Sequence, residues 1–212
     1  MSSLTLEKCL IFRITHIANV PWILDHGLHC RNTAERDPNY VEIGHPELIQ
    51  KRTQRPVPIP PGGVLIDYIP FYFTPHSPML FNIKTGYQGL TKRNMSEIVI
   101  VVSSLPALAR KEVPFVFTDR HAYLQTASFF SDLAQLDRIP WELLRHRDFK
   151  HDINDPGKFE RYQAEALVHR HLPITGLLGI MCYGDAQKAA LQAEVAQCGQ
   201  SLQVVVRPDY YF

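Results

Sequence analysis

The chain has 212 residues, 45% hydrophobic and 20% charged, which suits one globular domain with a sizeable core and excludes a disordered chain. Lys and Arg number 22 against 21 Asp and Glu, so bulk charge does not mark a nucleic-acid binder, and a polyanion would need a local basic patch. Cys9, Cys30, Cys182 and Cys198 include no CxxC pair, which leaves neither a zinc knuckle nor a thioredoxin-like motif. Scattered thiols without a signal peptide suggest a reducing cytoplasm, and no apolar run approaches the ~18 residues a membrane span needs.

CLIFRITHI (9–17) mixes β-branched and apolar residues with polar ones and predicts a strand. NVPWILDHGL (19–28) predicts a short helix: Val20, Ile23, Leu24 and Leu28 recur at helical spacing, Asn19 can cap, Pro21 suits the first turn and Gly27 the stop. Residues 30–63 have little periodicity and read as a long irregular, functional segment in which HPELIQKR forms at most a short helix. VLIDYIPFYF (64–73) predicts a buried strand broken by Pro70. TPHSPMLFNIKTGYQG (74–89) reads as a loop with Met79, Leu80 and Phe81 tucked beneath it. EIVIVVSSL (97–105) is the strongest strand, followed by a short helix at LPALARK and a strand at VPFVFTD (113–119). Residues 120–136 predict a helix or helix-like loop, 141–149 a helix, and 153–170 a turn leading into helix or strand. GLLGIMCYG (176–184) is strand, 185–199 a helix with a Gly stop, and SLQVVVRPDYYF a terminal strand. The elements mix without regular alternation, which predicts an α+β fold on a mostly antiparallel or mixed sheet, residues 1–212 forming one domain.

Several signatures are missing from the sequence. There is no GxGxxG after a strand, no GxxxxGK[ST], no GxSxG and no HExxH. His169 and His171 form an HxH pair that a strand would place on one face. With no third ligand candidate nearby, surface histidines are favoured over a metal site.

Four stretches have chemical content but are individually nonspecific. RITHI carries Arg13 and Thr15 at alternate positions, with His16 off phase. The proline-rich loop KRTQRPVPIPPGG carries Lys51, Arg52 and Arg55. DYIPFYF crowds aromatic rings that are either core or a stacking surface for a flat heterocycle. FERYQAEALVH sets Glu165 just ahead of an apolar run, where a carboxylate is ordinarily a solvated charge.

Taken in order, ITHI with ILDHGL, PPGGVLIDYIPFYF with SPML, PFVFTDRHA, YQAEALVH and the terminal RPDYYF resemble the DarT-type DNA ADP-ribosyltransferase toxins nearly end to end. The resemblance implies an ADP-ribosyltransferase-like fold, NAD as co-substrate, no metal and transfer of ADP-ribose to a base in single-stranded DNA. Thymine is the default acceptor and guanine the variant. It implies Glu165 as the catalytic carboxylate and Arg52 as the essential arginine, with Arg55 as the competing choice. It maps the NAD site to Arg13, Ile14, Thr15, Trp22, Arg52 and Tyr72, and the DNA side to Arg120, His121 and Tyr123. The family often carries a histidine where this chain has Arg13. A local positive groove is expected from Arg93, Arg110, Lys111, Arg120, Arg145, His146, Arg147, Lys150 and His151. The implied partner is an antitoxin, a macrodomain-type (DarG) or related ADP-ribose hydrolase. The contrasting reading is a non-catalytic NAD or nucleic-acid-binding module on the same fold, in which Glu165 merely orders a loop.

Overall fold

The computed structural model describes residues 4, 5 and 7–212. In chain order the strands are β1 (Leu10–His16), β2 (Leu28–His29), β3 (Tyr68–Tyr72), β4 (Ile98–Ser104), β5 (Phe115–Thr118), β6 (Phe129–Phe130), β7 (Glu165–His169), β8 (His171–Leu172), β9 (Gly179–Cys182) and β10 (Gln203–Val206). The helices are α1 (Val20–His26), α2 (Pro46–Arg52), α3 (Pro78–Thr85), α4 (Leu105–Arg110), α5 (Trp141–His146), α6 (Lys158–Tyr162) and α7 (Asp185–Gln197). Eight strands form one sheet in the order β10-β9-β4-β1-β3-β7-β5-β6, antiparallel throughout except for the parallel pair β9–β10 that α7 connects. The α+β expectation is met.

The sheet has two unequal halves. β4 is buried along its whole length and pairs with β1 over seven consecutive positions, Leu10–Ser104 to His16–Ile98. Val99 faces Val20 and Leu24 of α1 and Leu191 and Val195 of α7, while Ile98, Ile100 and Val102 face the larger core with Phe71, Phe73 and Phe117. Burial on both faces explains why this strand reads as an unbroken apolar run. The other half, β3-β7-β5-β6, joins β1 through the single pair Phe12–Tyr72. Past that pair β1 and β3 splay, and the Arg13 guanidinium reaches over to donate to the Pro70 carbonyl at 3.0 Å.

Pro70 does not break β3. The N–H and C=O of a strand residue point the same way, and this carbonyl faces the split towards β1. The missing N–H of proline would point there too, so the ladder with β7 loses nothing.

Other expectations shift with the tertiary context. Residues 78–85 are a helix, α3, rather than a loop: Ser77 caps it by accepting from the Leu80 N–H at 3.2 Å, Pro78 opens it and a left-handed Gly86 closes it. Leu80 is buried and Met79 half-buried, but Phe81 is exposed. The terminal strand stops at Val206 because Pro208 starts a 3₁₀ turn. Asn19 makes no cap; its side chain is used elsewhere. His169 and His171 do not share a face, because Arg170 between them adopts a left-handed backbone (φ 59°) that ends β7. His169 packs on Tyr68 and His171 on His29, where β8 pairs with β2. Among the described residues no side-chain group fit to hold a metal is present. Gly27 turns α1 into β2 at φ 77°, and a Cβ there would collide with the Leu172 carbonyl. Among the described residues no helix is long and apolar enough to cross a membrane. All four cysteines are free.

Candidate active site

Glu165 opens β7 directly opposite Tyr72 on β3. Pro70 faces the split, so Tyr72 and Glu165 form a non-hydrogen-bonded pair, the kind that brings side chains closest. Glu165 is 2% exposed, so it is not a surface charge. Its N–H donates to Thr118 Oγ1 at 3.2 Å. Its carboxylate accepts from Arg52 Nη1 at Oε2 (2.9 Å) and from the Ala122 N–H at Oε1 (3.0 Å). His121 Nδ1 lies 2.9 Å from Oε1, a close contact set off the N–H axis. Burial alone pushes a carboxyl pKa up. Here Arg52, then His121 and the Ala122 N–H, outweigh burial and bring Glu165 down to about 2. It is a fixed anion at neutral pH.

Arg52 ends α2, a helix with no buried residue, and its other terminal nitrogen, Nη2, is buried without a hydrogen-bond partner. The guanidinium therefore holds Glu165 with one arm and keeps one donor for a ligand. Arg55, three residues on, does something different. It donates to Gln125 Oε1 (2.6 Å) and the Leu124 carbonyl (2.9 Å) and lies over the Phe129 ring. It ties the α2 loop to the segment 119–130. That segment is not helical up to Phe130: it turns, forms β6 and enters a 3₁₀ stretch at Leu133–Arg138. Some of its backbone groups pair within turns, the Leu124 N–H on the His121 carbonyl and the Ala127 N–H on the Leu124 carbonyl, and others pair with the side chains of Glu165, Arg55 and Asp119, the last accepting from the Ser128 N–H at 3.0 Å.

A cleft of about 450 Å³ opens over the split in the sheet. Arg13, Ile14, Trp22, Arg52, Tyr72, His121 and Glu165 all line it. Clefts of about 300–1,000 Å³ suit ligands of cofactor size. Arg13 Nε is a second buried donor without a partner. The Tyr72 phenol keeps its proton, because burial and then the Glu165 anion raise its pKa. Thr15 does not line the cleft. It is buried, and its hydroxyl accepts from Asn19 Nδ2 at 3.0 Å. Asn19, fully buried, also clasps the backbone of Val41 with both ends of its amide, donating at 3.0 Å and accepting at 2.8 Å. This pins the segment that carries Tyr40, Glu42 and His45 into the cleft wall. Sequence reading missed Asn19 because its partner lies 22 residues away in an aperiodic stretch. Thr118 and the Ala122 N–H were likewise invisible.

Tyr123 stands edge-on to His121 with centroids 5.1 Å apart, and Lys51 Nζ sits over the Tyr123 ring. Arg120 lies outside the cleft, turned towards Asp119 at 3.4 Å. Of the other expected groove cations, Arg93 pairs with Glu97 and Arg145 with Glu142.

A buried carboxylate gripped by an arginine, beside unpartnered donors, suits a ligand that carries both a phosphate and a developing positive charge. A family model described as "ssDNA thymidine ADP-ribosyltransferase, DarT" matches residues 12–212. The chain belongs to the DarT family. A DNA ADP-ribosyl transferase of Escherichia coli O127:H6 is 50% identical over 211 residues, covering 100% of this chain and 97% of that protein. Thermus sp. 2.9 DarT in complex with ADP-ribosylated ssDNA matches with a TM-score of 0.87 at 34% identity, each chain covered to 97%. The same DarT in complex with NAD+ matches with a TM-score of 0.82 at 33% identity, covering 97% of this chain and 98% of that one. A DNA ADP-ribosyl transferase–DNA ADP-ribosyl glycohydrolase fusion protein of Thermosipho africanus is 23% identical over 205 residues, 95% of this chain and 49% of that protein. Membership in DarT makes the chain a DNA ADP-ribosyltransferase with NAD as co-substrate.

Proposed function

We propose that this chain transfers ADP-ribose from NAD to a nucleobase, thymine first, in single-stranded DNA and releases nicotinamide. The observation that carries the reading is the Glu165 carboxylate, buried, ionised and held by Arg52 at the wall of the cleft. As the bond between nicotinamide and ribose breaks, positive charge develops on the sugar. A preorganised anion stabilises that charge more than it stabilises the ground state, which is what accelerates a reaction. The free Arg52 nitrogen and Arg13 bind the pyrophosphate side. Trp22 and Tyr72 supply flat walls, and Ile14 closes the space between them. Thr15 acts from beneath, through Asn19.

The acceptor is single-stranded because an unpaired base costs little to present, whereas a paired one must be extruded. His121 and Tyr123, beside Glu165, receive the base, and Arg120 and Lys51 meet its phosphates. Unregulated modification of a cell's own DNA is toxic. The chain is therefore the toxin of a cytoplasmic pair whose antitoxin is a macrodomain-type ADP-ribose hydrolase. The Thermosipho protein, which fuses a glycohydrolase to its transferase, supports that partnership.

The test is incubation with NAD and four oligonucleotides, each built from one kind of base, both single-stranded and annealed to the complementary strand, followed by mass spectrometry. The expected outcome is one added ADP-ribose on the thymine strand and little on its duplex. Labelling of guanine would change the acceptor but keep the reaction. Equal labelling of duplex and single strand, or of no strand, would overturn the reading.

A further inference from the structure

We propose that Asn19 is a positioning residue for NAD: its amide holds residues 40–45, one wall of the cleft, in the way a neighbouring strand would. The inference rests on the proposed reading that this cleft takes NAD. From residue 31 to residue 56 no residue is buried, although this stretch supplies Tyr40, Ile43 and His45 to the lining. Such a wall gains little from apolar burial; Ile43 rests only half-buried against the larger core. Its polar attachments therefore place it. Asn32 ties one end, donating from Nδ2 to Asp67 Oδ1 at 2.7 Å, and Arg52 ties the other to Glu165. Between them Glu42 serves the wall itself, pairing with Arg31 and accepting from the Gly44 N–H at 2.8 Å.

Asn19 is the attachment in the middle. It is fully buried between β1 and α1, whose Phe12, Val20 and Leu24 belong to the core, so it stands on a rigid base. Its Oδ1 accepts from the Val41 N–H at 2.8 Å and its Nδ2 donates to the Val41 carbonyl at 3.0 Å. Two opposite bonds to one residue are what a hydrogen-bonded strand neighbour makes. Val41 needs an acceptor for its N–H and a donor for its carbonyl, which gives the amide one orientation, and the other Nδ2 hydrogen goes to Thr15 Oγ1 at 3.0 Å. Among side chains of this length only an amide offers both roles at neutral pH. Releasing Val41 lets the wall leave the body, and the apparent affinity for NAD falls in proportion to the fraction of molecules that keep it in place.

The experiment measures binding of carbocyclic NAD, which does not release nicotinamide, to the parent, Asn19→Ala, Asn19→Asp and Val41→Pro by titration calorimetry, with thermal melting as the check on folding. At pH of about 8, binding by both Asn19 variants weakens about 10-fold or more, as loss of the paired hydrogen bonds predicts. Asn19→Asp carries a second readout. Its ionised carboxylate accepts from the Val41 N–H but opposes the Val41 carbonyl, whereas the protonated acid offers one donor and one acceptor, as the amide does. Burial raises the pKa of such a carboxyl, so the affinity of Asn19→Asp relative to the parent recovers as pH falls from about 8 to about 5, and that of Asn19→Ala does not. A general loss of packing would move neither ratio with pH. Val41→Pro removes the N–H from the side of the wall, outside the core, and weakens binding likewise; if the Asn19 variants do not fold, it decides alone. Folded variants that bind as tightly as the parent, or an Asn19→Asp that stays weak at the lower pH, would overturn the proposal. A parent that binds no carbocyclic NAD would overturn the reading of the cleft itself, which separates the two failures.

Discussion

The two seams of β1 differ in kind. Towards β4 it makes a seven-pair ladder between strands buried on both sides. Towards β3 it makes one pair, and the next link is a side chain, Arg13 on the Pro70 carbonyl. A complete ladder satisfies its own backbone and leaves nothing for a ligand. An interrupted one needs side chains to finish it, and those side chains, with the gap they guard, form the cleft. In this molecule the first seam is held by apolar packing, and the second, held by charged and polar contacts, gathers the chemistry.

The largest expected effect lies across the second seam. Glu165→Gln lowers transfer by about 100- to 1,000-fold, as loss of one preorganised electrostatic contact does. Near-parent labelling of an oligonucleotide would break the division between seams. The same variant tests the pH linkage. A carboxyl with its pKa depressed to about 2 adds stability that is full above its unfolded pKa and lost as pH falls through 2. The parent's stability advantage over Glu165→Gln therefore shrinks between about pH 5 and pH 2, which denaturant melts at several pH values would measure.

Arg52→Ala leaves that buried anion without its main partner and costs about 3–5 kcal/mol of stability at neutral pH. Arg55→Ala sharpens the contrast, because it frees only the 119–130 segment. Its melting temperature stays close to the parent's while DNA transfer drops more than NAD cleavage. A collapse of activity in Arg55→Ala with Arg52→Ala intact would reverse the roles of the two arginines. At the first seam, Ile100→Ala costs about 2–5 kcal/mol by leaving a cavity, with KM for NAD unchanged in the surviving folded fraction. Arg13→Ala costs folding little, about 1 kcal/mol for one hydrogen bond, but it raises KM for NAD. Equal stability losses for Ile100→Ala and Arg13→Ala would mean that the seams do not divide as described.

Much of the site was legible through motif order. The family resemblance, placed by the spacing to DYIPFYF, favours Arg52 over Arg55, and in the structure Arg52 is the one on Glu165 while Arg55 turns to Leu124 and Gln125. Arg13, Ile14, Trp22, Tyr72 and His121 also converge on one cleft. What was not legible concerns groups whose partners are distant or lie in the backbone. The clasp of Asn19 on Val41 and the donation of Ala122 to Glu165 leave no periodic trace. The α3 helix was different: Ser77, Pro78 and Gly86 spelled its ends, but the surrounding Pro, Gly and Asn obscured them.

By itself the sequence determined the local states that short-range physics controls. The β-branched run of β4, the Ala-rich α7 and the turn at Gly27 depend on side chains and backbone within a few residues, so their pattern is readable along the chain. Only the tertiary structure decided what each charged or polar group is for. Glu165 is an ordinary carboxylate in its own stretch. It becomes a buried anion with a pKa near 2 because a helix end 113 residues away brings Arg52 to it, and the chain between 118 and 122 folds back over it. Electrostatic strength depends on distance and on exclusion of water, and both are properties of the folded assembly.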